Sequence, residues 1–190
     1  MNESDLQAVR NVLQQFQDGY DRRDLTAIDS FRTLFASEAA VEVIGTGGTV
    51  PGDDEWCLGP EAAITLVKND WEGWGDLRLD VAGARIEALG DVAWLATSGT
   101  VTMELKRDET YSNYLNSLRR IVDDQQTDSR SRLIEILRGA TNTLFEGERG
   151  DQYIWPIRFT SVLVRRDGNW LFHQMQFSFA TTRFPDVRTV

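Results

Sequence analysis

Along the first 75 residues, apolar positions recur every three or four residues, the period of helices with one buried face. Leu6, Val9, Leu13, Phe16 and Tyr20 hold this spacing, and Ser4 with Gln7 has the capping-box interval, so an amphipathic first helix is predicted. A second stripe, Leu25, Ile28, Phe31, Leu34 and Phe35, begins just after Asp24, whose short carboxylate suits an N-cap. Residues 40–44 read as a strand, and 45–54, rich in Gly and Asp and without periodicity, as a loop. Pro60 fits the first position of a third helix that turns Ile64, Val67 and Trp71 inward and ends at Gly73 and Gly75 around Trp74.

The period then changes to two. Strands are predicted at about 77–89 and 92–105, and again in the last third of the chain. There Arg158, Thr160, Val162 and Val164 alternate with Phe159, Ser161, Leu163 and Arg165. After the turn Asp167, Gly168, Asn169, a second run sets Trp170, Phe172, Gln174, Gln176 and Ser178 on one face and Leu171, His173, Met175 and Phe177 on the other. The two runs form a β-hairpin, and a face that starts apolar and ends polar can line a pocket. Between these strand regions, residues 107–150 carry two helical patterns. One is Tyr111, Tyr114, Leu115, Leu118 and Ile121; the other is Leu133, Ile136, Leu137, Ala140 and Leu144. A charged connection at 123–130 joins them, and 147–150 read as the loop back to the sheet.

The 190 residues suit one domain, and 30 acidic against 20 basic residues give a net charge of −10. That charge opposes a nucleic-acid partner. Neither a signal-like amino terminus nor a membrane-length apolar run is present in the sequence, so a cytoplasmic protein without a membrane partner is expected. One cysteine, Cys57, and one histidine, His173, argue against an internal disulfide and a Cys/His zinc site, and no cofactor is expected. Gly45, Thr46, Gly47 and Gly48 lack the Gly-Lys-Ser/Thr that a P-loop requires.

The hairpin resembles the last two strands of the SnoaL-like branch of the NTF2-like superfamily. Arg158, Thr160, Val162, Leu163, Asp167, Gly168, Trp170 and Ser178 carry that resemblance. Asp24 to Ile28 with Leu34 and Phe35, Gly59 to Ala62, and Gly90 to Trp94 fit it in order upstream. It covers most of the chain outside about 106–155. The family's paired imidazoles fall on Gln174 and Gln176. The resemblance implies an α+β fold, a cone in which a curved antiparallel sheet wraps around three N-terminal helices. The two-helix segment at 107–150 would be an insertion within one domain, 1–190.

In such a cone a ligand enters at the wide end. The residues then expected to meet it are Phe16, Tyr20, Trp71, Trp74, Arg158, Gln174 and Gln176. Aromatic walls with a few converging polar groups suit a small, partly apolar molecule. The amides can orient a ligand but cannot titrate, so they suit binding better than acid–base catalysis. Alternatively, Arg158 pairs with an internal carboxylate such as Asp24 or Glu42 and meets no ligand. Ketosteroid isomerase-like relatives use a tyrosine on the first helix and a carboxylate on the first strand, positions held here by Phe16 and Val43, which argues against that isomerisation. Two other readings stay open: a lyase, isomerase or cyclase with a carboxylate base such as Asp21, Asp24 or Glu42, and a non-catalytic interaction module. The resemblance also implies a homodimer, whose interface the 107–150 helices would enlarge.

Overall fold

The computed structural model describes residues 3–52, 55–104, 106–147 and 151–179. The chain divides into two compact units, one of residues 1–101 with 155–180 and one containing 102–154.

In the first unit, helix α1 (Glu3–Arg22) buries Val9, Val12, Leu13, Phe16 and Tyr20 along the predicted stripe. A single 3-10 turn, Leu25–Ala27, follows, capped by Asp24, whose carboxylate accepts from the Thr26 amide at 2.9 Å. It leads into the short helix α2 (Ile28–Arg32). The stripe's last members lie beyond α2, where Phe35 bridges to Phe172 in the sheet. Helix α3 (Pro60–Gly73) has proline at its start and faces Ala63, Ile64, Val67 and Trp71 inward. The three helices predicted for the amino-terminal part are therefore present.

Among the described residues, seven strands form one sheet: β1 (Glu42–Ile44), β2 (Trp56–Leu58), β3 (Asp76–Leu79), β4 (Arg85–Leu89), β5 (Val92–Glu104), β6 (Gln152–Arg166) and β7 (Asn169–Phe179). Their order is β2-β1-β7-β6-β5-β3, with β4 also on β5. The fold is α+β with a curved open sheet, as expected. One pairing departs from the antiparallel rule, because β1 runs parallel to β7. The strand predicted at 77–89 is broken into β3 and β4. Asp80 and Gly83 make a turn between them, with the Gly83 amide donating to Asp80 Oδ1 at 2.8 Å. Arg10 of α1 then donates to the carbonyls of Val81, Ala82 and Ala84. A guanidinium satisfying carbonyls that leave the ladder is why two short strands stand where alternation alone suggests one.

The β6–β7 hairpin closes on Asp167 and Gly168, both with positive φ (50° and 83°), the geometry of the two-residue turn that matches strand twist. Val162 pairs with Gln174 but Leu163 with Phe172, so His173 is an extra residue, a β-bulge. Before the bulge β7 buries Trp170 and Phe172; after it, Met175 and Phe177. Alternation continued across His173 assigns the second half of β7 to the wrong face, and Gln174 and Gln176 are the residues affected.

The core is aromatic. Phe16 is fully buried, with its ring 4.9–6.3 Å from those of Tyr20, Phe31, Phe159, Phe172 and Phe177. Buried Gln17 fastens α1 to β3, donating to the Leu77 carbonyl at 2.9 Å and accepting from the Leu79 amide at 2.7 Å. Gly19 lets α1 approach α2, since a Cβ there would stand 2.3 Å from the Phe31 ring. Gly19→Ala is accordingly expected to cost about 1–2 kcal/mol despite its better helix propensity, measured by urea unfolding. An unchanged or raised stability would show that Phe31 moves aside freely.

In the second unit, α4 (Arg107–Asp123) and α5 (Ser129–Gly147) lie in sequence between β5 and β6, and residues 148–150 of the predicted return loop lie outside the described residues. The helices run antiparallel: Tyr111 packs at Gly147, Tyr114 at Gly139, and Arg132 donates to the Val122 carbonyl at 2.6 Å.

Candidate functional site

Four of the seven residues expected at the site come together. Phe16, Tyr20 and Trp71 are buried in one aromatic cluster, with Tyr20 edge-on to Trp71 at 6.3 Å. Trp74 meets the same interior through Phe177, edge-on at 6.2 Å. The other three do not join them. Arg158 and Gln176 are exposed and Gln174 is half-buried, all on the opposite face of the sheet. Among the described residues Arg158 donates to the Phe179 carbonyl, at 2.8 Å, rather than to Asp24 or Glu42. Gln174 Nε2 lies 3.3 Å from Glu42 Oε2. The bulge at His173 is the physical reason for both amides; Arg158 follows because its neighbours Ile157 and Phe159 are the ones buried.

A polar group inside this aromatic shell comes instead from α3. Asp70 lies three residues after Val67 and one before Trp71, at the edge of the buried stripe. Its Oδ2 accepts a 2.7 Å hydrogen bond from the Tyr20 hydroxyl. Desolvation is the main cause that raises the Asp70 carboxyl to about 6, and the nearby Glu55 charge adds to it; the Tyr20 hydrogen bond and Arg23 act the other way. Burial, followed by the charge of Asp70, holds the Tyr20 phenol well above its ordinary range. The sequence carried a usable sign of Asp70, an acidic residue seven positions after the inward Ala63, where the helix returns to the same face.

Arg23 fixes the place where α1 and α3 end. With a positive φ of 48° it terminates α1, and its guanidinium donates to the carbonyls of Trp74, at 2.8 Å, and Gly75. It also lies 3.3 Å from the Asp76 carboxylate. A cation at two converging helix carboxyl ends is electrostatically favoured, and here it sets Tyr20 and Asp70 in register. Glu55 closes the other side, its Oε2 accepting from the Gly47 amide at 2.6 Å. The candidate bases named from sequence are otherwise engaged: Asp21 with Gln17 and Arg78, Asp24 in its cap, and Glu42 beside Gln174.

Two spaces adjoin these residues. A cavity of about 20 Å³ lies against Asp70, Trp74, Phe177, Glu55 and Thr46, enough for one water-sized polar group. A groove of about 230 Å³ runs along Gly19, Phe31, Leu34 and Trp71. Among the described residues, no group of three or more His, Cys, Asp and Glu side chains is placed to hold a metal ion, and no helix is long and apolar enough to cross a membrane.

Comparison with known proteins now bears on this site. A family model described as the SnoaL-like domain matches residues 9–121, more than half of the chain and all of the Tyr20–Asp70 region. No curated protein matches. A proposed dehydratase of the NTF2-like family from Streptomyces avermitilis superposes with a TM-score of 0.60 at 10% identity, over 95% of this chain and 99% of that one. A proposed scytalone dehydratase from Novosphingobium aromaticivorans gives 0.57 at 10% identity, over 98% and 91%. An NTF2-like protein of unknown function from Pseudomonas putida gives 0.57 at 12%, over 100% and 99%. At such identities these likenesses speak for the fold alone.

Proposed function

Because the chain belongs to the SnoaL-like domain family of NTF2-like folds, we propose that it binds a small, partly apolar molecule at the aromatic pocket built on Tyr20, Asp70 and Trp74. The partly buried Tyr20–Asp70 hydrogen bond carries this reading. A carboxylate raised to about 6 inside an aromatic wall is costly to maintain, and such perturbed groups concentrate at functional sites. A ligand donor takes the water-sized polar position beside Asp70, while its apolar body extends outward past the half-buried Trp74. Phe16, enclosed by other rings, backs the pocket from behind Phe177.

A second reading rests on the same carboxyl, because a group raised to about 6 is matched to proton abstraction near neutral pH. Asp70 is then the base of a lyase, isomerase or cyclase reaction, with Tyr20 orienting it. The domain is proposed to be single, including the α4–α5 segment, and to work in the cytoplasm as a homodimer.

Ligand-observed NMR with a library of small aromatic alcohols, phenols and hydroxy-ketones tests both readings. Binders are expected to shift the Trp74 indole N–H in a protein-observed 15N spectrum and to weaken about fivefold or more in Tyr20→Phe and Asp70→Asn. Substrates among them should show kcat/KM rising with pH through about 6. Binders indifferent to both substitutions place the site elsewhere, and binding without turnover leaves the first reading alone.

A further inference from the structure

We infer that the α4–α5 hairpin is a dimerisation element, pairing with the same hairpin of a second copy to close a four-helix bundle. The inference rests on the homodimer reading above and assigns it a surface.

The two helices already spend one apolar stripe on each other, through Tyr111, Tyr114 and the glycines beneath them. Each also carries a second stripe that is exposed among the described residues. Leu115 and Val122 on α4, with Leu133, Leu137 and Leu144 on α5, are 51–66% exposed. On α5 the spacing through Leu133, Leu137, Ala140 and Leu144 is four, three, four, the interval of a helix–helix seam. At about 100° per residue, each exposed stripe is turned by close to 100° from the line facing the partner helix, in the same rotational sense on both. Since the helices are antiparallel, equal rotations bring both stripes to one side of the hairpin. The result is a single aliphatic ledge, two helices wide.

A second copy fits this ledge on two counts. Five side chains exposing on the order of 100 Å² each give roughly 500 Å² per chain, and a two-fold pair then reaches the ~1,000 Å² that a specific interface needs. Charge points the same way. Two chains of net charge −10 repel, yet α4 balances three arginines with three acidic residues, and α5 sets three arginines against two glutamates. The near-neutral hairpins are where two such chains meet with little repulsion.

Sedimentation equilibrium of the full chain decides the matter. Wild-type protein is expected at twice 21.6 kDa at tens of micromolar. Leu133→Glu/Leu137→Glu, and separately Leu115→Glu/Val122→Glu, should weaken dimerisation about 100-fold or more with helical circular dichroism retained. A sheet-face control, Gln176→Arg, should leave the mass unchanged. Wild-type protein at single-chain mass overturns both the homodimer and the surface assigned to it. A dimer that survives both double substitutions, or yields to Gln176→Arg, overturns the surface alone. Loss of helical signal in both double variants would show that the stripes are covered within the chain, and also overturns the proposal.

Discussion

Phe16→Ala is expected to lower the unfolding free energy by about 3–5 kcal/mol and the melting midpoint by roughly 10 °C. The ring is fully enclosed, and besides Tyr20 on α1 itself, four of its five aromatic neighbours come from elements that α1 must hold in place: Phe31 from α2, Phe159 from β6, Phe172 and Phe177 from β7. Removing it subtracts the transfer energy of an aromatic side chain and leaves a void that stiff rings refill poorly. It also removes the central partner of several ring pairs, each worth about 0.5–1.5 kcal/mol beyond its area. Phe16→Leu, which keeps most of the volume, should lose markedly less. Urea unfolding followed by tryptophan fluorescence measures both, and a Phe16→Ala loss below about 1 kcal/mol would mean that the neighbours collapse into the space. The same packing bears on function. With Phe16 filling the space between helix and sheet, the space beside Asp70 is what this interior leaves for the proposed ligand.

Most elements could be read from the chain because local signals and tertiary packing agree. The stripe of α1, Asp24 capping the 3-10 turn that follows it, Pro60 at the start of α3 and Asp167-Gly168 in the turn each act through backbone geometry that neighbours do not override. The site was less legible, for two reasons that trace to particular residues. His173 adds one residue to β7, and a period of two has no means of registering an insertion, so every assignment beyond it is reversed. Gln174 and Gln176 were therefore placed inside when Met175 and Phe177 belong there. Asp70 was obscured in the opposite way: its position on the buried arc of α3 was readable, but a carboxylate among apolar residues is ordinarily assigned to a solvated edge. The approach of Tyr20, fifty residues away in sequence, and the charge of Arg23 make its partial burial tolerable, and both depend on how two helix ends meet.

Asp70→Asn should make the protein more stable near neutrality, by about 2–3 kcal/mol at pH 7.5, while weakening whatever the pocket binds or transforms. The folded chain holds the carboxyl at about 6 against 3.8 for its ordinary value. Below pH 4 both states keep the proton and the site costs nothing. Between about 4 and 6 the unfolded chain ionises first and stability falls, and above 6 the full penalty of a charged, partly buried Asp70 is present. Asparagine keeps an acceptor for the Tyr20 hydroxyl but cannot ionise, so it is free of that loss. Urea unfolding of both proteins at pH 7.5 and pH 5 isolates the effect, because the remaining carboxylates are common to both and cancel. The stability gap should roughly halve at the lower pH. A gap that does not change with pH would mean that Asp70 is solvated in both states, and the case for a functional carboxyl at that position would fall with it. A gap that narrows as described, together with lost ligand response in the same variant, identifies a charge kept at the expense of stability for what it does in the pocket.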